Sequence, residues 1–441
     1  VDSVAALLGR HFPSSGAELV VGGLPISAAI AGFETPLYVY DGGVLYRQYR
    51  ALRSALPARF SIAYSVKANP NRALLQRFVS FGCGLEIASA GEFLQALAAG
   101  CPAARIMFAG PGKREDELEL VLRHGIGEIH AESRLEVERI AAISRRLRVT
   151  APVALRVNPT EEVQGGTMLM GGKPSPFGVD EEQIDAIVDR LARDPVIDFR
   201  GIHLFSGTQI LDHTVLLRQY RKGLAIARRL ATRLGRPLPT VDFGGGLGIP
   251  YFSGERPLDL DKLREELAAL MAEVEGDPLF AGTRFVLEPG RYLVGEAGIY
   301  VTRVTDIKVS RGKKFLIVDG GMHHHLAASG NLGQVIRRSF PVALLTRLTA
   351  PARETVDVVG PLCTPLDVLA RSVTLPAADV GDLVGVFQSG AYARTASPLG
   401  FLSHPTPAEV LVEDGAARLI RRRGTYDDLL ADSEATRSTR E

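Results

Sequence analysis

Between residues 60 and 290 one unit recurs eight times: a short β-rich run, a loop, then a helical pattern. The β-rich runs are SIAYSVKAN (61–69), GLEIAS (84–89), RIMFAG (105–110), EIHAES (128–133), VALRVNP (153–159), FRGIHLFSG (199–207), TVDFGGG (240–246) and RFVLEPG (284–290). Amphipathic stretches such as ALLQRFVSFG, EFLQALAAG and LEVERIAAISRRL lie between them. Strands that alternate with helices are parallel and need crossovers, and eight of them predict a closed (β/α)8 barrel; a doubly wound open sheet is the competing arrangement.

A barrel of this kind carries its chemistry at the C-terminal ends of its strands. Polar residues recur at those ends here: Lys67, Glu86, Glu132, Asn158, Thr208, the Gly244–Gly246 run and Glu288. On the first strand Phe60, Ile62, Tyr64 and Val66 alternate with Ser61, Ala63, Ser65 and Lys67, so Lys67 ends the small-residue face. A lone lysine at a strand end is ordinarily a solvated edge; in company with the other polar strand ends it becomes a candidate site.

The rhythm changes after Gly290. The runs IYVTRVTDIKVS, KFLIVDGG, ETVDVVGPLC, GDLVGVFQSGAY and AEVLVEDG are β-type and broken by Gly and Pro, which predicts an all-β second domain. TPLYVYD (35–41) reads as one strand ahead of the barrel, so the expected division is 42–295 for the barrel, 1–41 plus 296–430 for the β domain, and 431–441 as a tail. The glycine-rich connection from Pro159 to Asp180 exceeds an ordinary barrel loop. With 51 Lys+Arg against 50 Asp+Glu and no basic tract, nucleic acid is not an expected partner. Three cysteines without metal-type spacing fit a reducing cytoplasm, and no apolar run suggests a signal peptide or membrane span.

Among the motifs, Asp242-Phe-Gly-Gly-Gly-Leu-Gly248 follows a strand and exposes backbone N–H groups suited to phosphate, although a tight turn explains it equally. Glu288-Pro-Gly-Arg291 is either a surface ion pair or a divided site, with Arg291 on phosphate and Glu288 facing a protonated ring nitrogen. Cys363, in Gly360-Pro-Leu-Cys363-Thr-Pro-Leu-Asp367, reads on its own as packing. His323-His324-His325 does not read as a metal site, because neighbours on a strand point to opposite faces and no ligand cluster accompanies them.

Several of these segments together resemble the fold-type III pyridoxal-5′-phosphate (PLP) decarboxylases, the group that includes diaminopimelate, ornithine and arginine decarboxylases. They are Tyr64-Ser-Val-Lys-Ala-Asn69, Gly84-Leu-Glu-Ile-Ala-Ser-Ala-Gly-Glu92, Phe108-Ala-Gly-Pro-Gly-Lys113, Arg156-Val-Asn-Pro159, the Asp242 and Glu288 motifs, Gly360-Pro-Leu-Cys363 and Ser389-Gly-Ala-Tyr392. The resemblance implies an alanine-racemase-like barrel with a C-terminal all-β domain, working as a homodimer with shared active sites. It implies that Lys67 holds PLP as a Schiff base and Glu288 faces the pyridine nitrogen. Thr208, Gly244, Gly245, Gly246, Gly290, Arg291 and Tyr392 fall in or beside phosphate-binding positions, and Glu86, Glu92 and Arg156 match polar positions around the cofactor. Cys363 matches a catalytic cysteine supplied by the partner subunit that returns a proton to the product; Asp367 and Thr364 are the implied substrate contacts. Because Lys67 attacks an aldehyde only as a free amine, a desolvated, cation-rich pocket is expected around it.

The chain departs from the family in three places. Phe205 stands where a histidine usually stacks on the cofactor; it can stack but cannot hydrogen-bond, and His203 shares its strand face one layer deeper. Thr364 replaces the glutamate that follows the cysteine in diaminopimelate decarboxylases, and their arginine for the distal carboxylate is missing after Gly321-Met322. These departures resemble a subgroup from biosynthetic clusters, with the butirosin-type decarboxylase of aminoacyl carrier proteins and exosortase-associated relatives. The expected function is decarboxylation of an amino-acid-type substrate that is large or tethered to a carrier protein, admitted past the Gly165–Gly172 loop. An amino-acid racemase on the same fold and a non-catalytic PLP-binding protein are the alternatives; racemases usually set arginine against the pyridine nitrogen, which Glu288 argues against.

Overall fold

The computed structural model describes residues 3–160, 168–169, 174–205, 207–332, 334 and 337–431. The chain divides into two compact units, one of Tyr46–Pro250 and Arg256–Val294, the other of Val1–Leu45, Tyr251–Glu255 and Gly295–Glu441. The segment Tyr251–Glu255, expected within the barrel, is thus grouped with the other unit.

The first unit is a closed barrel of eight parallel strands: β1 (Phe60–Ser65), β2 (Gly84–Ile87), β3 (Ile106–Phe108), β4 (Glu128–Ala131), β5 (Ala151–Asn158), β6 (Ile197–Leu204), β7 (Thr240–Asp242) and β8 (Arg284–Leu287). Each pairs with the next, and β8 returns to β1 through the register Val286↔Ser61. Caps start the crossover helices soon after the strands end. Ser89 Oγ accepts the Glu92 N–H at the start of Ala90–Ala98, and Ser133 Oγ does the same for Glu136 at Arg134–Leu147. Asp212 caps the long helix His213–Leu234, which stops at left-handed Gly235 (φ 65°). Short capped turns of this kind hold the strand ends in place, and those ends carry the polar residues.

Inside the barrel, side chains from neighbouring strands that are in register lie on the same face. Ala63, Met107 and Val286 form a small apolar cluster. At the level of His130 the filling becomes polar. His203 is in register with Asp242 on one side and Arg156 on the other, and His130 is in register with Ala154.

The second unit contains a nine-stranded sheet. Its main path runs Val368–Leu375, Glu354–Val359, Lys313–Val318, Gly298–Ser310, Leu37–Asp41, Ala408–Glu413 and Ala416–Arg421, with Leu383–Val386 on Gly298–Ser310 and Val342–Leu344 beside it. The early strand Leu37–Asp41 lies in this sheet, antiparallel to Gly298–Val301 and parallel to Ala408–Val412. A helix (Ser3–Arg10) and a small three-stranded sheet precede it; neither has the sustained periodicity that would announce it.

The three consecutive histidines lie on a turn and not on a strand. All are buried, and burial lowers each below the ordinary histidine range, to about 4, about 2 and about 3 for His323, His324 and His325. His324 lies between Tyr300 Oη (3.2 Å) and the Pro405 carbonyl (3.2 Å), whereas His325 Nε2 meets Ser389 Oγ at 2.8 Å. Their roles diverge, as separate packing residues would.

Candidate active site

β1 ends at Ser65 and the chain turns through a short helical turn, Val66–Ala68, that carries Lys67. The Lys67 Nζ donates to both carboxylate oxygens of Glu86 on β2, at 3.0 Å each, and Ser65 Oγ donates to the same carboxylate. Glu86 is buried to 1 % side-chain exposure, while Lys67 keeps 44 %. Against the expected desolvated, cation-rich surrounding, the lysine is half-exposed in the chain and its nitrogen is paired with an anion. The cause is register, since Ser65 pairs with Glu86 and brings the lysine turn over that carboxylate.

Gly290 lets a second turn close on the first. A Cβ there would stand 2.9 Å from Ala68 Cβ and 3.1 Å from Ser65 Cβ, and Ser65 N–H donates to the Pro289 carbonyl. The Glu288–Arg291 turn is thereby fixed against the Lys67 turn, with Arg291 opening the short helix Arg291–Val294.

The glycine run after β7 is a cradle that only glycine can form. Gly244 and Gly246 have φ of 69° and 96°, and a Cβ on Gly244 or Gly245 would collide with the Leu204 or Glu288 carbonyl respectively. Glu288 N–H donates to the Gly244 carbonyl at 2.8 Å, and Gly244 N–H donates to Asp242 Oδ1 at 2.8 Å. Phe205 flanks this run, its ring 3.3 Å from where a Gly244 Cβ would lie. Thr208 sits in a two-residue strand paired with Met168–Leu169. Apart from those two residues, the Gly165–Gly172 stretch lies outside the described residues.

Arg156 is buried on β5 and held from several sides. Its Nη1 donates to Glu132 Oε1 at 2.7 Å, and its guanidinium lies 5.0 Å from the Phe177 ring centre and 5.7 Å from that of Phe205. Glu132 also accepts the Gly110 and Gly178 N–H groups; Arg156 and Lys113 outweigh its burial and hold it below the usual carboxylate range. Lys113 is buried and donates to the Gly110 and His130 carbonyls and to Glu136. Glu92 accepts the Ala88 N–H, and burial raises its carboxyl to about 7.

Beneath these groups lies a layer that sequence reasoning left out of the site. His203 Nε2 is 3.0 Å from Glu288 Oε2, and the His130 ring stacks on His203 at 4.2 Å between centres. Glu288 Oε1 is buried without a hydrogen-bond partner among the described residues. The signal was available in the period-two pattern: Glu128, His130 and Glu132 share one face of β4, and His203 shares a face with Phe205, where an aliphatic filling would be ordinary.

The other four candidates belong to the second unit. Cys363 is exposed. Asp367 is buried, its Oδ1 accepting the Met322 N–H at 2.6 Å and its Oδ2 the Leu362 N–H at 2.9 Å. With each oxygen accepting a backbone N–H, Asp367 braces the turn carrying Cys363. Thr364 is half-buried in that turn, its hydroxyl accepting the Leu366 N–H at 3.3 Å. Tyr392 holds a left-handed backbone (φ 51°), a strained state for an aromatic residue.

In the barrel unit, a strand-end amine, a glycine cradle, an arginine beside it and a buried carboxylate oxygen without a partner fit an aldehyde that carries a phosphate and a basic ring nitrogen. The comparisons with known proteins agree. Residues 43–295 match the family described as pyridoxal-dependent decarboxylase, pyridoxal binding domain. The chain is 41 % identical over 416 residues to the L-glutamyl-[BtrI acyl-carrier protein] decarboxylase of Niallia circulans, covering 94 % of this chain and 97 % of that one. It is 35 % identical to the diaminopimelate decarboxylase of Methanothermobacter thermautotrophicus, covering 94 % and 95 %. The diaminopimelate decarboxylase of M. jannaschii, solved with L-lysine, superposes with a TM-score of 0.89 at 26 % identity, covering 97 % and 98 %. The chain belongs to the pyridoxal-dependent decarboxylase family, and pyridoxal phosphate is its cofactor.

Proposed function

We propose that this decarboxylase acts on a glutamyl-type group carried by an acyl carrier protein. The observation that carries the reading is the 41 % identity, along 94 % of the chain, to a decarboxylase named for such a substrate. The lack of acidic and basic side chains for a distal ammonium and carboxylate supports it, since Thr364 and the His323–Ala327 stretch stand where diaminopimelate enzymes carry them. The chemistry also constrains the tether. A substrate of this reaction needs its amine and the departing carboxylate on one carbon, so a glutamyl group must be linked to its carrier through the side-chain carboxyl.

Pyridoxal phosphate, when bound, supplies the electron sink for the pair left on the α-carbon as carbon dioxide departs. Lys67 is the residue to bind it covalently, with Glu86 holding the lysine's nitrogen and able to take its proton. Gly244, Gly245, Gly246, Thr208, Arg291 and Tyr392 would hold the phosphate, and Glu288 the pyridine nitrogen. Phe205 would lie against the ring, and Arg156 would stay fixed beside it by Glu132. Cys363 would return a proton to the α-carbon from a partner subunit in a homodimer; its exposure in the chain is compatible with that. Among the described residues no helix is long and apolar enough to cross a membrane, and the three unpaired cysteines support a reducing cytoplasm as the compartment.

The test compares carbon dioxide release from free L-glutamate, free meso-diaminopimelate and a γ-glutamyl thioester of an acyl carrier protein. Turnover of the thioester alone is expected. Efficient turnover of free diaminopimelate would overturn the reading.

A further inference from the structure

Five ionisable side chains meet in the polar layer of the barrel: Glu128 and His130 from β4, His203 from β6, Asp242 from β7, and Glu288 just beyond β8. All five are buried. His130 Nε2 lies 3.1 Å from Glu128 Oε1 and 3.9 Å from Asp242 Oδ2, and its Nδ1 lies 3.8 Å from Glu288 Oε1. Farther out, Glu86, Glu132 and Arg156 contribute to the field at His203.

Carboxyls crowded into such an interior tend to take up protons, because neither water nor a cation supports their charge. Asp242 does so: burial first, then the charge of Glu288, pushes it well above the carboxylate range. Glu288, in the same layer, must be ionised to pair with a protonated pyridine nitrogen. The imidazole 3.0 Å away supports its charge, in company with the neighbouring Asp242 carboxyl. Burial and the neighbouring His130 hold His203 well below the histidine range, so it is neutral and has one N–H. An ionised carboxylate only accepts, so that N–H sits on Nε2. His203 Nδ1 correspondingly has no hydrogen-bond partner among the described residues. Room for the stacked His130 comes from β5 between them, where small Ala154 is in register with both His130 and Gly201.

We propose that His203 is a positioning residue for Glu288: its Nε2–H keeps the carboxylate ionised and turned so that Oε1 serves the pyridine nitrogen, while His130 clamps the imidazole by its face. The proposal rests on the assignment of Glu288 to that nitrogen.

The test uses holoenzyme reconstituted with pyridoxal phosphate labelled with nitrogen-15 in the ring, and nitrogen-15 histidine in the same sample. In the unmodified protein the pyridine nitrogen is expected protonated and His203 neutral with its proton on Nε2. His203→Leu should move the pyridine signal toward the unprotonated position and lower kcat roughly 10- to 100-fold. KM should change less than about threefold. His203→Gln, whose amide N–H has similar reach, should restore the protonated signal and most of kcat. In a Glu288→Gln background, His203→Leu should add no further loss. A wild-type imidazolium at His203, or a His203→Leu protein with wild-type pyridine signal and kcat, would overturn the proposal. If His203→Leu does not fold, the wild-type tautomer and a second apolar substitute decide: His203→Met, which offers neither N–H nor O–H, must lose the signal that His203→Gln keeps. An unprotonated pyridine nitrogen in the wild type instead sinks the Glu288 assignment, and so is distinguishable from failure of the role given to His203.

Discussion

The amine of Lys67 lies 3.0 Å from both carboxylate oxygens of Glu86, so the strand-end lysine is aimed by the neighbouring strand. Two side chains meet at that carboxylate, because Ser65 Oγ donates to it as well. The expected outcome is that borohydride reduction of the holoenzyme fixes the cofactor on Lys67, found by mass mapping of peptides, and that Lys67→Ala fixes none. Glu86→Gln should still be trapped at Lys67 with cofactor affinity lower by roughly tenfold, from the loss of one charge-assisted contact. Trapping on another lysine would remove Lys67 from the site.

The barrel is legible in sequence because each of its eight strands is followed by a helical pattern, a local signal repeated along the chain. Lys67 and the glycine run are legible for a related reason, as each falls at the end of a strand. The layer beneath is harder to read. Glu128, His130, His203, Asp242 and Glu288 come from four strands spread over 160 positions of sequence, and only closure of the barrel makes them neighbours. The pairing of Lys67 with Glu86 is hidden for a like cause, since it is set by the register of β1 and β2. Asp367 is a different case: the resemblance implies a substrate contact, and its bracing of its own turn and of Met322 is legible only in the structure.

Arg156 and Glu132 form a buried pair at 2.7 Å, and Glu132 also accepts two backbone N–H groups. Arg156→Met keeps the stem between Phe177 and Phe205 but leaves Glu132 without its guanidinium. Removing one partner of a buried ion pair typically costs about 3–5 kcal/mol. Lys113 remains near Glu132, so the lower end of that range is expected in urea unfolding of the cofactor-free protein. A loss below about 0.5 kcal/mol, the level of an ordinary surface change, would mean that the pair does not support the fold.

Glu92 makes stability depend on pH. Burial lifts its carboxyl from 4.5 to about 7, so between those values the folded chain holds a proton that the unfolded chain has released. The stabilisation is complete below pH 4.5 and is lost as pH rises through 7. Glu92→Gln stays neutral throughout and can still accept the Ala88 N–H. The variant should match wild type at pH 4 and exceed it at pH 8 by roughly 1–3 kcal/mol in the cofactor-free protein. Parallel stability profiles for the two proteins from pH 4 to 8 would contradict the raised carboxyl.

The proposed homodimer has a consequence that two dead proteins can reveal together. Lys67 belongs to the barrel unit and Cys363 to the other, and the family resemblance has the cysteine serve the neighbour's lysine across a two-fold axis. Lys67→Ala should be inactive because the cofactor has no covalent anchor, and Cys363→Ala should fail to form the correctly protonated product. When the two variants are mixed and their subunits exchange at random, half of the dimers are mixed. Each mixed dimer then has one site with both residues intact and one with neither, so product formation should recover to roughly a quarter of the wild-type level. Co-purification through two different affinity tags measures the mixed dimers independently of activity. Mixed dimers without recovered activity would mean that Lys67 and Cys363 serve the same site from one chain, because every site in the mixture would then lack one of them.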